Sequence, residues 1–318
     1  MVQQYDDCII THDSILTTEG MRMAEICPTT RVEKILLSTD GSEFSEGAVR
    51  EAIRLAKKCS STLTALSVIE TNAELEAIAP QVTEKAEKAA RANLEAVQAR
   101  AKKEGVDCAI IIHAGEDSYK YIVDEAAKNN STMIVMGRRG RSGLKRLIMG
   151  SVTTRVIGHA PCNVLVVPKA AQLEFRNILV ATDGSKYSAA AASEAIGLAK
   201  QNNSALTVIS VVPSELVTPV DIDFTVNQRE FIAEKEMHEA EKNAKAAKEA
   251  AEKEGVFVKA FVLSGKPADA IIETAKEKRA DLIVLGSHGR TGLEKLLMGS
   301  VAERVIVLAA CPVLVVKR

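Results

Sequence analysis

The stretch ILLSTDGS at 35–42 returns as ILVATDGS at 178–185. Three more blocks return in the same order. LTALSVI (63–69) becomes LTVISVV (206–212), KKEGV (102–106) becomes EKEGV (252–256), and MGRRGRSGLKRLIMGSVTTRVI (136–157) becomes LGSHGRTGLEKLLMGSVAERVI (285–306). Four blocks in register mean one folding unit written twice, and a fold that does not repeat is excluded. The offset is 143 residues between Asp40 and Asp183 and 149 between Gly137 and Gly286, so the second copy gains a net six. The irregular text at 213–231 is where the extra length belongs. A chain of 318 residues also suits two domains at roughly 150 residues each. The division this implies is 32–168 and 177–318, with 169–176 as linker. Residues 1–31 have no counterpart in the second copy, and an extra strand pair, a partner-binding arm and a disordered lead all remain open for them.

Composition removes several functional classes. Hydrophobic residues make up 47% of the chain, enough for two buried cores. A formal net charge of −1 gives no broad attraction for nucleic acid or an anionic membrane, and the absence of Trp argues against a base-stacking surface. Cys8, Cys27, Cys59, Cys108, Cys162 and Cys311 lie far apart with no C-x-x-C pair, which is not a metal or redox spacing. Cys59, Cys108, Cys162 and Cys311 sit in or beside apolar segments and read as small core residues. The first 30 residues are too acidic and too broken for a signal peptide. The longest apolar stretch, Val305 to Val316, is interrupted by Pro312 and is too short to span a bilayer. These features lead to the expectation of a soluble, cytoplasmic protein without membrane insertion.

Within each copy, short apolar runs alternate with helical patterns. Strand-length runs fall near Ile35–Ser38, Leu63–Val68, Cys108–His113, Thr132–Met136 and Val164–Val167. Ala48, Ala52, Leu55, Ala56 and Cys59 share one helical face. In the second copy Met237, Ala240, Ala244, Ala247 and Ala251 form a narrow stripe whose small side chains suit close packing on a sheet. Strands buried on both faces and joined by helices imply, in each copy, a five-stranded, parallel, doubly wound α/β sheet.

Such sheets bind ligands beyond the carboxyl ends of their strands. Both copies place a G-x2-G-x9-G-S pattern there: Gly137, Gly140, Gly150 and Ser151, then Gly286, Gly289, Gly299 and Ser300. Glycine after a buried strand lets the backbone turn and approach a ligand closely. Gly-Ser ahead of Val152–Ile157 reads as a helix start with Ser151 as cap, and free N–H groups at such a terminus favour phosphate. Arg138, Arg139, Arg141, Lys145 and Arg146 make the first loop cationic. The plainer reading, glycines that only turn and a serine that only caps, stays open. A second cluster ends the first strand of each copy, at Ser38-Thr39-Asp40 and Ala181-Thr182-Asp183, where the aspartates either cap the next helix or face a ligand. His288 stands between two motif glycines where the first copy has Arg139. Neither a Walker A loop nor a G-x-G-x-x-G turn is present.

The glycine pattern resembles the ATP-binding signature of the universal stress protein family, over roughly 32–168 and 175–318. The resemblance implies the adenine nucleotide α-hydrolase-like fold of that family, with two domains packed as a pseudo-dimer through Asn163–Val167 and Pro312–Val316. Further homodimerisation is left open. It places the adenosine on Asp40 and Asp183, the adenine on Val68 and Val211, and the ribose and phosphates on Gly137, Gly140, Gly150, Ser151, Val152 and Thr153. The second-copy counterparts are Gly286, Gly289, Gly299, Ser300, Val301 and Ala302, and Ala302 lacks the hydroxyl of Thr153. The expected ligand is ATP or AMP, with Mg²⁺, in a regulatory protein that acts on a protein partner. A slow ATPase and a nucleotide-free scaffold are the alternatives. The first site is expected to hold triphosphate more tightly, because of its arginines and Thr153.

Overall fold

The computed structural model describes residues 32–140, 149–213, 226–290 and 298–317, with only the backbone of 226–230. The expected arm at 1–31 and the loop cations Arg141, Lys145 and Arg146 lie outside these residues.

Copy one contains strands β1 (Lys34–Ser38), β2 (Thr62–Glu70), β3 (Cys108–Gly115), β4 (Met133–Gly137) and β5 (Asn163–Val167). Its helices are α1 (Glu46–Cys59), α2 (Ala73–Ile78), α3 (Pro80–Lys103), α4 (Ser118–Lys128) and α5 (Ser151–His159). Copy two contains β6 (Asn177–Ala181), β7 (Ala205–Pro213), β8 (Val258–Gly265), β9 (Leu282–Gly286) and β10 (Val313–Val316). Its helices are α6 (Lys186–Asn202), α7 (Val226–Lys253), α8 (Pro267–Glu277) and α9 (Ser300–Leu308). Residues 226–231, read above as irregular, belong to α7.

All ten strands form one sheet in the order β3-β2-β1-β4-β5-β10-β9-β6-β7-β8. Pairing is parallel within each copy and antiparallel only between β5 and β10. The register at that seam is self-complementary. Leu165 faces Leu314, its own counterpart in the repeat, while Val164 faces Val315 and Val166 faces Val313. Each flanking pair exchanges counterparts, as an isologous twofold contact requires. The last strands therefore close on each other inside one chain, leaving no free edge at the centre.

Helices cover both faces. Residues of α1, α3, α6 and α7 share one continuous core across the seam, with Leu165 and Leu314 in it. Residues of α4, α5, α8 and α9 share the other. In α7, Ala240, Ala244, Ala247 and Ala251 are buried, and the helix packs on β7 and β8. The alanine stripe is thus a sheet-packing face. Cys108 is buried, and burial pushes its thiol up to about 11, Cys162 to about 11 and Cys311 to about 12. Cys59 packs against the core as expected but is also disulfide-bonded. The other described cysteines are free, so its partner lies outside the described residues.

Two cations cross the seam. The Arg138 guanidinium donates to the carbonyls of Ile306, Val307 and Ala309, at 3.3, 2.8 and 2.9 Å, at the C-terminal end of α9. The Lys317 ammonium donates to Ile157 and Gly158, at 2.8 and 3.2 Å, at the end of α5. Each ties off orphan carbonyls at the negative pole of a helix from the opposite copy. The two cations come from non-equivalent positions, since Ser287 replaces Arg138 in the repeat and Pro168 replaces Lys317. Burial lowers the pKa of both.

The linker is held down as well. Ala171, Leu173 and Phe175 are buried, Arg50 donates to the Ala171 carbonyl, and Arg54 donates to that of Leu173 at 3.0 Å. Both arginines pair with the buried carboxylate of Glu51.

Replacing Arg138 with Met leaves three last-turn carbonyls of α9 without their donor. The expected loss is about 1–3 kcal/mol in urea denaturation. An unchanged midpoint would show that solvent serves those carbonyls equally well.

Candidate functional site

The carboxyl ends of β1, β2 and β4 open on a cavity of about 370 Å³, within the size range of small-molecule sites. One wall is the β1 end, with Ser38, Thr39 and Asp40, and β2 contributes Val68. The opposite wall is the glycine loop and the start of α5, with Gly137, Arg139, Gly140, Gly150, Ser151, Val152 and Thr153. Every residue named for the first site except Arg138 lines this one space. Sequence reasoning missed Ser67, Glu70, Ala86, Ala90 and Ser118, which also line it. Glu70 is the most informative of these, because it follows Val68 on the same strand face and accepts a hydrogen bond from Ser118 at 3.1 Å. Period-two alternation from Val68 would have found it.

The loop after β1 is built by short polar side chains. Asp40 Oδ1 accepts from the Ser42 N–H at 3.0 Å and the Ser42 hydroxyl at 2.7 Å. Gly41, at φ +73°, takes the left-handed turn, and a Cβ there would meet Asn93 of α3 at 2.9 Å. The aspartate therefore shapes its own loop rather than capping α1, whose cap position is Ser45. The second copy repeats this: Asp183 Oδ1 accepts from Ser185 N–H at 3.0 Å, and Ser185 caps α6 by accepting from Ser188 N–H.

The aspartates also reach the glycine loops. A Cβ on Gly140 would sit 2.9 Å from Asp40 Oδ2, and one on Gly289 would sit 2.9 Å from Asp183 Oδ2. Asp183 Oδ2 accepts from the Arg290 N–H at 2.9 Å. Burial alone would push the Asp183 carboxyl up, but hydrogen bonds from Ser185, Ser188 and Arg290 outweigh it and hold the carboxyl below its usual range. Gly137 is fixed by backbone, since a Cβ there would meet the Phe44 carbonyl at 2.8 Å. The corresponding Cβ on Gly286 would meet Tyr187 at 2.7 Å.

The cap of α5 is Gly150, not Ser151, which is the first helical residue, and in copy two Gly299 precedes Ser300 in the same way. Glycine offers no side-chain acceptor, so the first-turn N–H groups of Ser151 and Val152 remain available to an anion. The loop closes on itself by Gly150 N–H to the Arg138 carbonyl, 3.1 Å, and by Gly299 N–H to that of Ser287, 2.9 Å. Val301 is part-exposed and Ala302 buried beside this turn.

Three side chains expected at the ligand make other contacts in the structure. The Arg138 side chain crosses to α9, because three carbonyls at a helix end outcompete solvent for it. The Thr153 hydroxyl is buried and donates to the Gly137 carbonyl at 3.1 Å, bracing the loop. His288 stacks against Tyr187, centroids 5.1 Å apart, with Nδ1 3.1 Å from the Ser287 hydroxyl. In copy two the remaining predicted residues hold matching places. Ala181 ends β6, Thr182 is buried with its hydroxyl 3.3 Å from that of Ser188, and Val211, near the end of β7, packs against the core shared by α8 and α9.

A wider groove of about 700 Å³ runs between α6 and α7, lined by small residues such as Ala189, Ser193, Gly197 and Ala250. Its counterpart in copy one is smaller, about 250 Å³, and is lined by Arg50, Arg54 and Arg100. The copy-two groove runs along the helix flanks to Thr182 and Gly184 at the end of β6. Among the described residues no group of three or more His, Cys, Asp or Glu could hold a metal. No described helix is long and apolar enough to cross a membrane.

The fold and cavity define a duplicated, doubly wound α/β protein with a glycine-lined cavity at the sheet's carboxyl edge. The universal stress protein family model matches residues 31–168 and 174–317, and the chain belongs to that family. A universal stress protein of Methanocaldococcus jannaschii is 44% identical over 144 residues, 45% of this chain and 83% of that protein. The Bacillus subtilis universal stress protein YxiE is 37% identical over 147 residues, 45% of this chain and 99% of its own. Among solved structures, a universal stress protein from Archaeoglobus fulgidus superposes with a TM-score of 0.70 at 25% identity, covering 92% of this chain and 98% of that one. A Pseudomonas aeruginosa structure superposes at 0.63 with 21% identity, over 90% and 93% of the two chains, and shows the same fold.

The depressed carboxyl of Asp183 fixes a sign. Its hydrogen bonds stabilise the fold fully above the unfolded aspartate pKa of about 3.9 and are lost as pH falls through the lower folded value. Asp183→Asn is expected to destabilise at neutral pH and to flatten the acid limb of a stability–pH curve. An acid limb identical to that of the natural chain would contradict this assignment.

Proposed function

We propose that this chain binds an adenine nucleotide, ATP or AMP, at the carboxyl edge of each half, and that occupancy alters its contacts with a protein partner. The carrying observation is the copy-one cavity. It joins an apolar wall at Val68, a carboxylate at Asp40, a cation at Arg139 and a first helical turn with unclaimed N–H groups. Apolar surface suits a base, the helix terminus suits phosphate, and the two lie at opposite ends of one space. Family membership and the glycine spacing support the same reading. Gly137, Gly140 and Gly150 fit the role because a side chain at the first two would strike Phe44 or Asp40. Bound Mg²⁺ would supply charge neutralisation for a triphosphate, held by the phosphates and approached by Asp40.

The proposed role is binding and signalling rather than turnover. Asp40 and Glu70 are the carboxylates lining the cavity. Asp40 is engaged in shaping its loop and Glu70 accepts from Ser118, so neither is set up to activate a water.

Gently purified protein should release an adenine nucleotide on denaturation, detected by mass spectrometry, and should hydrolyse MgATP well below ~1 s⁻¹. Gly140→Val and Gly289→Val are each expected to abolish one site in calorimetry. A steady-state rate above roughly one per second, lost on replacing Asp40 or Asp183, would establish an enzyme instead.

A further inference from the structure

The two candidate sites differ at a position the sequence comparison left unremarked. Asn93 of α3 and Asn243 of α7 stand against Gly41 and Gly184 respectively, and Lys57–Glu104 is repeated as Lys200–Glu254. These contacts fix the correspondence of the two helices at 150 residues. On that register Ala86, which lines the copy-one cavity, corresponds to Glu236. Glu236 is not idle. Its carboxylate accepts from the Arg290 guanidinium at 2.8 Å, an ion pair whose members are 25% and 44% exposed.

Arg290 follows Gly289, and its own N–H is bonded to Asp183 Oδ2. Its backbone therefore belongs to the phosphate-facing wall while its side chain reaches α7 on the other bank. The pair joins α7 to the glycine loop of the second copy, and by correspondence with Ala86 it places a carboxylate where the first site has a methyl group.

We infer that Glu236 is a specificity-determining residue that makes the second site select against triphosphate. This rests on the nucleotide reading above and deepens it. A polyphosphate entering there meets the negative charge of Glu236 and must draw Arg290 away from it. A nucleoside or monophosphate, with little charge beyond the helix terminus, leaves the pair intact. The first site has Ala86 in place of that carboxylate, and Arg139 lines its cavity. The unequal affinity expected from sequence thus acquires a different cause, because Arg138 and the Thr153 hydroxyl serve the structure instead.

The test is a gain of binding. In the full chain carrying Gly140→Val, MgATP titrated by calorimetry reads the second site alone. Glu236→Ala should tighten MgATP about fivefold, the scale expected for releasing a part-exposed ion pair, and should change AMP less than about twofold. Ala86→Glu in the otherwise natural chain should weaken MgATP at the first site. Both substitutions are at half-buried helical positions, and matched circular dichroism melts verify folding. Unchanged or weaker MgATP binding on Glu236→Ala, in a chain whose first site binds MgATP, overturns the inference alone. If neither site of the natural chain binds MgATP or AMP, the nucleotide reading falls and this inference with it.

Discussion

Everything in this molecule is referred to one antiparallel contact, the pairing of Leu165 with Leu314 where β5 meets β10. Two parallel sheets each end in an apolar strand that cannot stay exposed without inviting aggregation. Joining them edge to edge satisfies both ladders and merges each pair of flanking cores into one. The short helices α5 and α9 then lie near the seam with their negative poles against the other copy, and Arg138 and Lys317 neutralise those poles. The same two helices present their N-termini to the candidate sites. Stabilising the seam and aiming the phosphate cradles are consequences of one placement.

Duplication let the two halves keep this frame while changing what surrounds the ligand. The glycines, the left-handed turns at Gly41 and Gly184, and the aspartate loops are shared, since backbone contacts leave little room for other residues. Side chains at the rim have diverged. Arg139 became His288 against Tyr187, Thr153 became Ala302, and Ala86 became Glu236.

The fold was legible because repetition, strand length and glycine spacing are local signals. All five strands of copy one appear within two residues of where apolar runs placed them. The glycine loop and the β1 end were likewise readable, and in copy one they do converge on one cavity. What escaped was direction. A cation beside a glycine loop looks like a phosphate ligand, and nothing near Arg138 in sequence reveals that three carbonyls 168 to 171 residues away compete for it. The Thr153 hydroxyl likewise has a partner that its place in the sequence does not reveal, the Gly137 carbonyl. The start of α7 fell in text read as irregular, although Thr225 and Gln228 have the spacing of a capping box there. Cys59 looked like core filling, and a disulfide partner distant in sequence cannot be read from spacing alone.

The clasped linker has an evolutionary consequence. Arg50 and Arg54 hold the carbonyls of Ala171 and Leu173, so the segment joining the halves is part of the packed structure. A short tether of this kind keeps each half facing its partner at an effective concentration on the order of millimolar, far above that of a separate chain. Unlike halves therefore meet in preference to like ones, and a population of mixed dimers never forms. Mutations that specialise one half are not diluted by pairing with an unspecialised copy. Fusion thus converts a symmetric dimer, in which both sites must change together, into a heterodimer with fixed one-to-one stoichiometry whose sites can be selected separately.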